Sequence, residues 1–438
     1  GVILLALCST LFLLASLAMA RTPSATVVDF KAVYYGARCV IHHVNPYDEQ
    51  EFLRVYRAEG GDREEDSVQQ RKVVTTFINL PTGLLVIAPF AILPWSVAHV
   101  LWVALIALLI TCAVWLIWSQ VADSAPILSA VLLSIFLLTS IMLVDVGNTA
   151  GLVVALIGIA VCLLLESRYI AVGAVCLAVS LVIKPHDAGF IWLFFLLGSS
   201  VQRKRALYSL IIAVAIGLPG IAWMSHTAPH WMTDLHHNLT ATSGRGDIND
   251  PGPTSASAHS ADFIVDLQTV LSVFWDEPGF YNTVSVVITA PLIAFWIVLV
   301  VRAHGDSKNA WLLLAAISAL TVLPIYHRQD DARIILLTIP ACGLLWRERG
   351  RVGKLAAALT LSVLLLNGDL TTVLRTNLTR PLLASAEGTS RMIMTVLLDR
   401  PVPLCLLGMG VLYLLVLGHR VFWRDRRYCM QPNSVTET

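Results

Sequence analysis

Residues 97–118, VAHVLWVALIALLITCAVWLIW, contain no Asp, Glu, Lys or Arg. At 1.5 Å of rise per residue, a helix of this length covers roughly 30 Å, the thickness of a bilayer's hydrocarbon core. Working outward, comparable apolar runs occupy 2–20, 82–93, 126–144, 149–165, 169–183, 188–200, 206–224, 283–301, 309–326, 333–346, 355–367 and 401–418. The ten-residue alternation of a membrane β-barrel is absent, so the runs read as helices. Of the 438 residues, 57% are hydrophobic and 13% charged, and the mean hydropathy is +0.74. Soluble domains carry about 25% charged residues, and this chain has too little charge to cover a water-facing surface. The composition excludes a water-soluble enzyme. It predicts an all-α polytopic membrane protein, one integral membrane domain over 1–438 with about 12 spans.

Lys and Arg in the short connections set the orientation. Basic clusters lie at Arg203-Lys204-Arg205, Arg302 to Lys308, Arg347 to Lys354 and Arg420 to Arg427. Walking back from the tail, every second connection is basic, which predicts a cytoplasmic tail at 419–438. The polar loops 21–80 and 225–282 then fall on the outer side. An even count requires one run not to cross; 82–93, short and bounded by Pro81 and Pro94, fits a re-entrant or half helix. Ala18-Met19-Ala20 resembles a signal-peptidase site, but retention of 2–20 as the first span is favoured, because polar residues with chemical potential begin nine positions later.

Within 21–80, Val33, Gly36, Ala37 and Val40 form a helical apolar stripe following Asp29. This predicts an amphipathic helix at the membrane interface. Asp29 reads locally either as an N-cap, satisfying free backbone N–H groups, or as a catalytic carboxylate. Three further junctions carry polar groups: Asp145 to Asn148, Lys184-Pro185-His186-Asp187, and Tyr326-His327-Arg328-Gln329-Asp330-Asp331-Ala332-Arg333. Ionisable groups at such depth normally line a cavity or pathway, although Lys184, Arg328 and Arg333 could instead reach the headgroups with Asp330 and Asp331 as partners. Convergence of these groups on one face suits a lipid-phosphate substrate. Cations bind the phosphate and stabilise it as a leaving group, while a carboxylate takes the proton of an acceptor hydroxyl. That is glycosyl transfer from a polyprenyl-phosphate sugar, with inversion.

Five histidines (His226, His230, His236, His237, His259) lie in 225–282 without a metal-binding spacing, and the stretch Ser243 to Ala261 reads as mobile. None of the eight cysteines forms a CxxC pair, so no disulfide framework or zinc site can be read. Asn238-Leu-Thr and Asn377-Leu-Thr fit the glycosylation sequon on predicted outer loops, with chance occurrence the favoured reading. No GxGxxG, Walker or HExxH motif occurs. With no region large enough for a nucleotide-sugar domain, a cytosolic nucleotide-sugar donor is disfavoured.

Val28-Asp29-Phe30 with Tyr34-Tyr35 and Asn45-Pro46-Tyr47-Asp48 resemble the first outer loop of glycosyltransferase family 87, polytopic enzymes of the GT-C fold that include polyprenyl-phosphate-mannose-dependent α-mannosyltransferases. Phe77-Ile-Asn-Leu-Pro81 is similar to the family's Phe-x-Tyr-Pro-Pro stretch, with Asn79-Leu80 in place of Tyr-Pro. Gly147-Asn148 resembles its Gly-Gln-x-Asn element without the Gln, Ile183-Lys184-Pro185 resembles its Lys-Pro element, and Tyr326-His327-Arg328 with Asp330/Asp331 resembles a late outer-rim motif. The resemblance implies a GT-C-type helix bundle with mannose as the leading sugar, Asp29 as general base, and no required metal or cofactor. On this reading Lys184, His327, Arg328 and Arg333 hold the donor phosphate, while Tyr35, Asn148, His186, Asp330 and Asp331 line the cavity. The expected partners are the lipid-linked donor, a lipid or glycan acceptor and the bilayer, with no nucleic acid. A transporter or flippase of lipid-linked glycans is the alternative; it has no use for a carboxylate placed like Asp29, and the internal repeats common in transporters are not seen.

Overall fold

A computed structural model describes residues 1–21, 27–61, 68–253, 263–303, 307–348 and 350–429. Among these the chain is helical without a β-strand; one isolated antiparallel bridge pairs Ile264 with Arg328. Five helices are long and apolar enough to cross a membrane: Val2–Ala20, Trp95–Val121, Ser200–Thr227, Pro278–Arg302 and Val402–Phe422. The pair Arg351–Leu366 and Leu370–Ala384, bent by 84°, would make a sixth. Several of the other apolar runs fold as helices of 10–17 residues, among them Pro126–Thr139, Ile170–Ile183 and Pro185–Leu197. Length therefore accounts for five or six of the expected dozen spans. Thr149–Leu165 shows why a short helix persists: Thr149 through Leu164 are all buried. Neighbouring helices, not lipid, cover it on every side, which matches its apolar circumference.

Trp95–Val121 is the measuring rod of the bundle. Near its start, Trp102 donates through Nε1 to the Gly147 carbonyl at 2.9 Å. At its far end, Gln120 hydrogen bonds to Glu166, and a Cβ on Gly343 would stand against Val121. Eighteen residues separate Trp102 from Gln120, roughly 27 Å of helix. The basic connections gather at the far end. Arg205 donates to the Leu164 carbonyl and, at 2.8 Å, to Ser167 Oγ, and Arg420 pairs with Glu348 at 2.6 Å. The polar junctions at Asp29, Asn148 and Lys184 lie at the opposite end.

The helix Val28–Ile41 departs from expectation. Phe30 through Ala37, with Cys39 and Val40, are all buried, so it is enclosed rather than laid on an interface by one apolar stripe. The reason lies in its aromatic residues. Phe30 stacks on Trp102 at 4.7 Å and on Trp95 at 5.6 Å, and Tyr34 donates to the Leu93 carbonyl at 2.7 Å. The amphipathic helix of this segment is Glu49–Ala58, which buries Phe52, Val55 and Tyr56 and is N-capped by Asp48 through Gln50 and Glu51 N–H. The run 82–93 forms a 3₁₀ turn, Pro81–Gly83, followed by Leu84–Ala91. Eight residues rise about 12 Å, too little to cross alone.

The loop 225–282 is folded where it is described; part of the stretch expected to be mobile, 254–261, lies outside the described residues. The remainder is tied down. Buried Asp250 accepts from Gly246 N–H (2.7 Å) and Gly252 N–H (2.8 Å), and Lys72 pairs with Asp247 at 2.8 Å. Asn238 of the sequon is buried and donates to the Tyr47 and Phe77 carbonyls at 3.0 Å each, which commits its amide to the fold. The described part of the 419–438 tail continues the last helix to Cys429.

Candidate active site

Asp29 sits in the first turn of Val28–Ile41, but the N-cap position belongs to Val27, whose φ of 42° is left-handed. The Val146 carbonyl accepts from Asp29 N–H at 3.0 Å and Phe30 N–H at 3.4 Å, so the free amides of the helix start are met by backbone. The Asp29 side chain turns elsewhere: its Oδ2 accepts from Asn148 Nδ2 at 2.7 Å. Asn148 is a hub. Its Oδ1 caps Thr149–Leu165 by accepting from Ala150 N–H at 2.8 Å, which orients the amide. Its Nδ2 also donates to Asp330 Oδ2 at 3.2 Å.

Gly147 makes this approach possible. Its φ is +67°, and a Cβ there would lie 2.5 Å from Val27 Cγ1 and 2.9 Å from Phe30 Cβ. A glycine is required on both counts.

Two cations complete the group. Lys184 ends Ile170–Ile183 and pairs with Asp331, whose other oxygen accepts from Arg328 N–H at 3.1 Å. Arg328 is half-buried and donates to the Ile248 carbonyl at 3.2 Å. Burial pushes the Asp29 carboxyl above the ordinary carboxylate value, and Arg328, Asn148 and Lys184 pull against that rise.

His327 and His186 gather around Asp187. The His327 Nδ1 is 2.9 Å from the Ile325 carbonyl, and its Nε2 faces Asp187 Oδ1 at 3.5 Å. The two imidazoles meet edge to face at 5.3 Å. This segment is stitched to the 225–282 loop: Val265 N–H donates to the His327 carbonyl at 3.0 Å, Gln329 N–H to the Phe263 carbonyl at 3.0 Å, and His327 N–H to Asp266 Oδ2 at 3.3 Å. Burial pushes the Asp266 carboxyl up to about 7, against its hydrogen bonds from Thr269 and the charge of His327.

The structure thus brings Asp29, Asn148, Lys184, His186, His327, Arg328, Asp330 and Asp331 to one end of the bundle. It places two expected residues elsewhere. Arg333 is fully buried, with its guanidinium bonded to Thr139 Oγ1 (2.8 Å) and the Thr139 carbonyl, so it braces the Pro126–Thr139 helix. Tyr35 is buried in an aromatic cluster, edge to face with Tyr34 at 4.9 Å and Tyr56 at 4.8 Å. Sequence reasoning did not single out Asp187 or Asp266 as site residues. Asp187 carried a signal, adjacency to His186 at a helix break; Asp266 carried none.

Residues 77–324, more than half of the chain, match glycosyltransferase family 87. The chain belongs to glycosyltransferase family 87. It is therefore a membrane glycosyltransferase by family, and its apolar helices agree with integral membrane placement. The matched span contains Asn148, Lys184 and His186; Asp29 and His327 to Asp331 lie outside it and join the site through the contacts above. No curated protein and no solved structure matches the chain.

Proposed function

We propose that this family 87 member transfers a hexose, mannose in the first instance, from a polyprenyl-phosphate sugar to a hydroxyl of a lipid or glycan acceptor. The observation that carries the reading is a half-buried carboxylate, Asp29, held by Asn148 beside Arg328 and Lys184. Asp29 accepts the acceptor's hydroxyl proton while the acceptor oxygen attacks the anomeric carbon. The bond from that carbon to the phosphate oxygen breaks, and the polyprenyl phosphate leaves with the electron pair, stabilised by Arg328 and Lys184. Attack opposite the leaving group inverts the anomeric centre.

Burial suits Asp29 to this role, because a raised carboxyl pKa makes a stronger base at working pH. Opposition of the site to the basic connections supports an extracytoplasmic site under the positive-inside rule. The test is transfer of radiolabelled mannose from synthetic polyprenyl-phosphate mannose in membranes carrying wild type or Asp29→Asn. Labelling of a lipid or glycan by wild type alone is the expected result; equal labelling by both would remove Asp29 as the base.

A further inference from the structure

Four carboxylates, Asp29, Asp187, Asp330 and Asp331, gather here with Lys184, Arg328, His186 and His327. One part of this cluster has the ligand types and spacing of a metal site. Asp187 Oδ1 lies 3.5 Å from His327 Nε2 and 3.7 Å from His186 Nε2, and the three ligand atoms all fall within 4.8 Å of one another. Two ligands of a tetrahedral zinc, each at about 2.0–2.1 Å, stand about 3.3 Å apart.

Asp187 is 1% exposed and His327 is 0% exposed; apart from the 3.5 Å contact between them, neither Asp187 oxygen nor His327 Nε2 has a hydrogen-bond partner among the described residues. Buried polar atoms are normally satisfied, so this pair has capacity left for a further ligand. The His327 Nδ1, held at the Ile325 carbonyl, is the outer contact that metal-bound imidazoles commonly make, leaving Nε2 for the ion. The His186 side chain, 42% exposed, supplies an entry path and leaves a coordination position open to an outside oxygen.

We propose that His186, Asp187 and His327 form a site for a divalent first-row transition metal, with Zn²⁺ as its probe. Two imidazoles and one carboxylate suit such an ion. Bound there, it adds two positive charges beside the Lys184–Asp331 pair. This departs from the metal-free expectation that the family resemblance carries. Binding itself does not depend on the transferase reading; a part for the ion in holding the donor phosphate does.

The test uses the full chain purified in detergent through a tag without histidines, stripped with chelator and dialysed against Zn²⁺ with elemental analysis. Co²⁺ loading gives a second readout through its visible ligand-field absorbance. Wild type is expected to take up one equivalent, and His186→Ala and Asp187→Asn to bind at least about tenfold more weakly. His186→Ala alters an exposed side chain, so an unchanged size-exclusion profile separates lost binding from lost folding. Failure of wild type to bind stoichiometrically, or retention of wild-type affinity and absorbance by both variants, would overturn the site and leave an Asp187–His327 ion pair. Neither result alters the outcome of the Asp29→Asn transfer assay.

Discussion

At the scale of single residues, the site turns on what surrounds one carboxylate. Burial raises the Asp29 pKa above the ordinary carboxylate range, and a general base must be deprotonated to act. The sign follows: kcat/KM should fall as pH drops through this raised pKa, at a higher pH than an unperturbed aspartate would give. A pH–rate profile reads the limb, and Asp29→Asn should lower transfer by about 10²–10⁴-fold and abolish the limb. Asn148→Asp asks a finer question. Aspartate caps a helix as well as asparagine does, so Thr149–Leu165 should keep its start. The substitution replaces the amide donor between Asp29 and Asp330 with a third carboxylate. Transfer should drop, and any residual acid limb should move to higher pH, since a new negative neighbour raises the Asp29 pKa further. An unmoved limb would show that Asn148 does not act on Asp29.

At the scale of elements, the join between Val28–Ile41 and Thr149–Leu165 passes through Gly147. Gly147→Ala adds a methyl group where Val27 and Phe30 already stand and forces an alanine to φ +67°. We expect a loss of about 1–3 kcal/mol, read as a lower Tm in detergent, together with reduced transfer because the Asp29 helix start is displaced. Asp48→Ala is the matched comparison. It removes the cap of Glu49–Ala58 at a cost of about 1 kcal/mol, and it should lower Tm with little effect on the rate. Equal effects of the two variants on transfer would deny Gly147 a special place. Helix positions were legible in the sequence because apolar runs bounded by Gly, Pro and charge mark them directly. The surroundings of Val28–Ile41 were not. A stripe of Val33, Gly36, Ala37 and Val40 predicts one buried face, whereas Tyr34, Tyr35 and even Lys31 are buried by the other segments that close over them. Nor was the direction of Arg333 legible. Asp331–Leu337 winds as a 3₁₀ helix with three residues per turn, so Arg333 leaves on a different side from Asp331 and meets Thr139.

At the scale of the whole molecule, the separation of basic connections from the polar junctions is the feature most open to a direct check. In a cysteine-free background, Ser243→Cys should react with a membrane-impermeant maleimide in intact cells, and Lys204→Cys only after permeabilisation. The reverse pattern would invert the chain in the membrane and put the site on the cytoplasmic face. Charge placement made this polarity readable in the sequence, whereas the closeness of Asp29, Asn148 and Asp330 was not measurable there, since 301 positions separate the first residue from the last. The same separation has a consequence in time. At about 5–20 residues per second of synthesis, Asp330 follows Asp29 out of the ribosome by roughly 15–60 s. Once Asn148 has been made, 182 residues ahead of Asp330, its amide can engage Asp29 but has no second carboxylate to hold. An unfinished chain already inserted in the membrane therefore lacks the segment that carries Arg328 and Asp331, and its candidate site stays open on that side until about three quarters of the chain has been made.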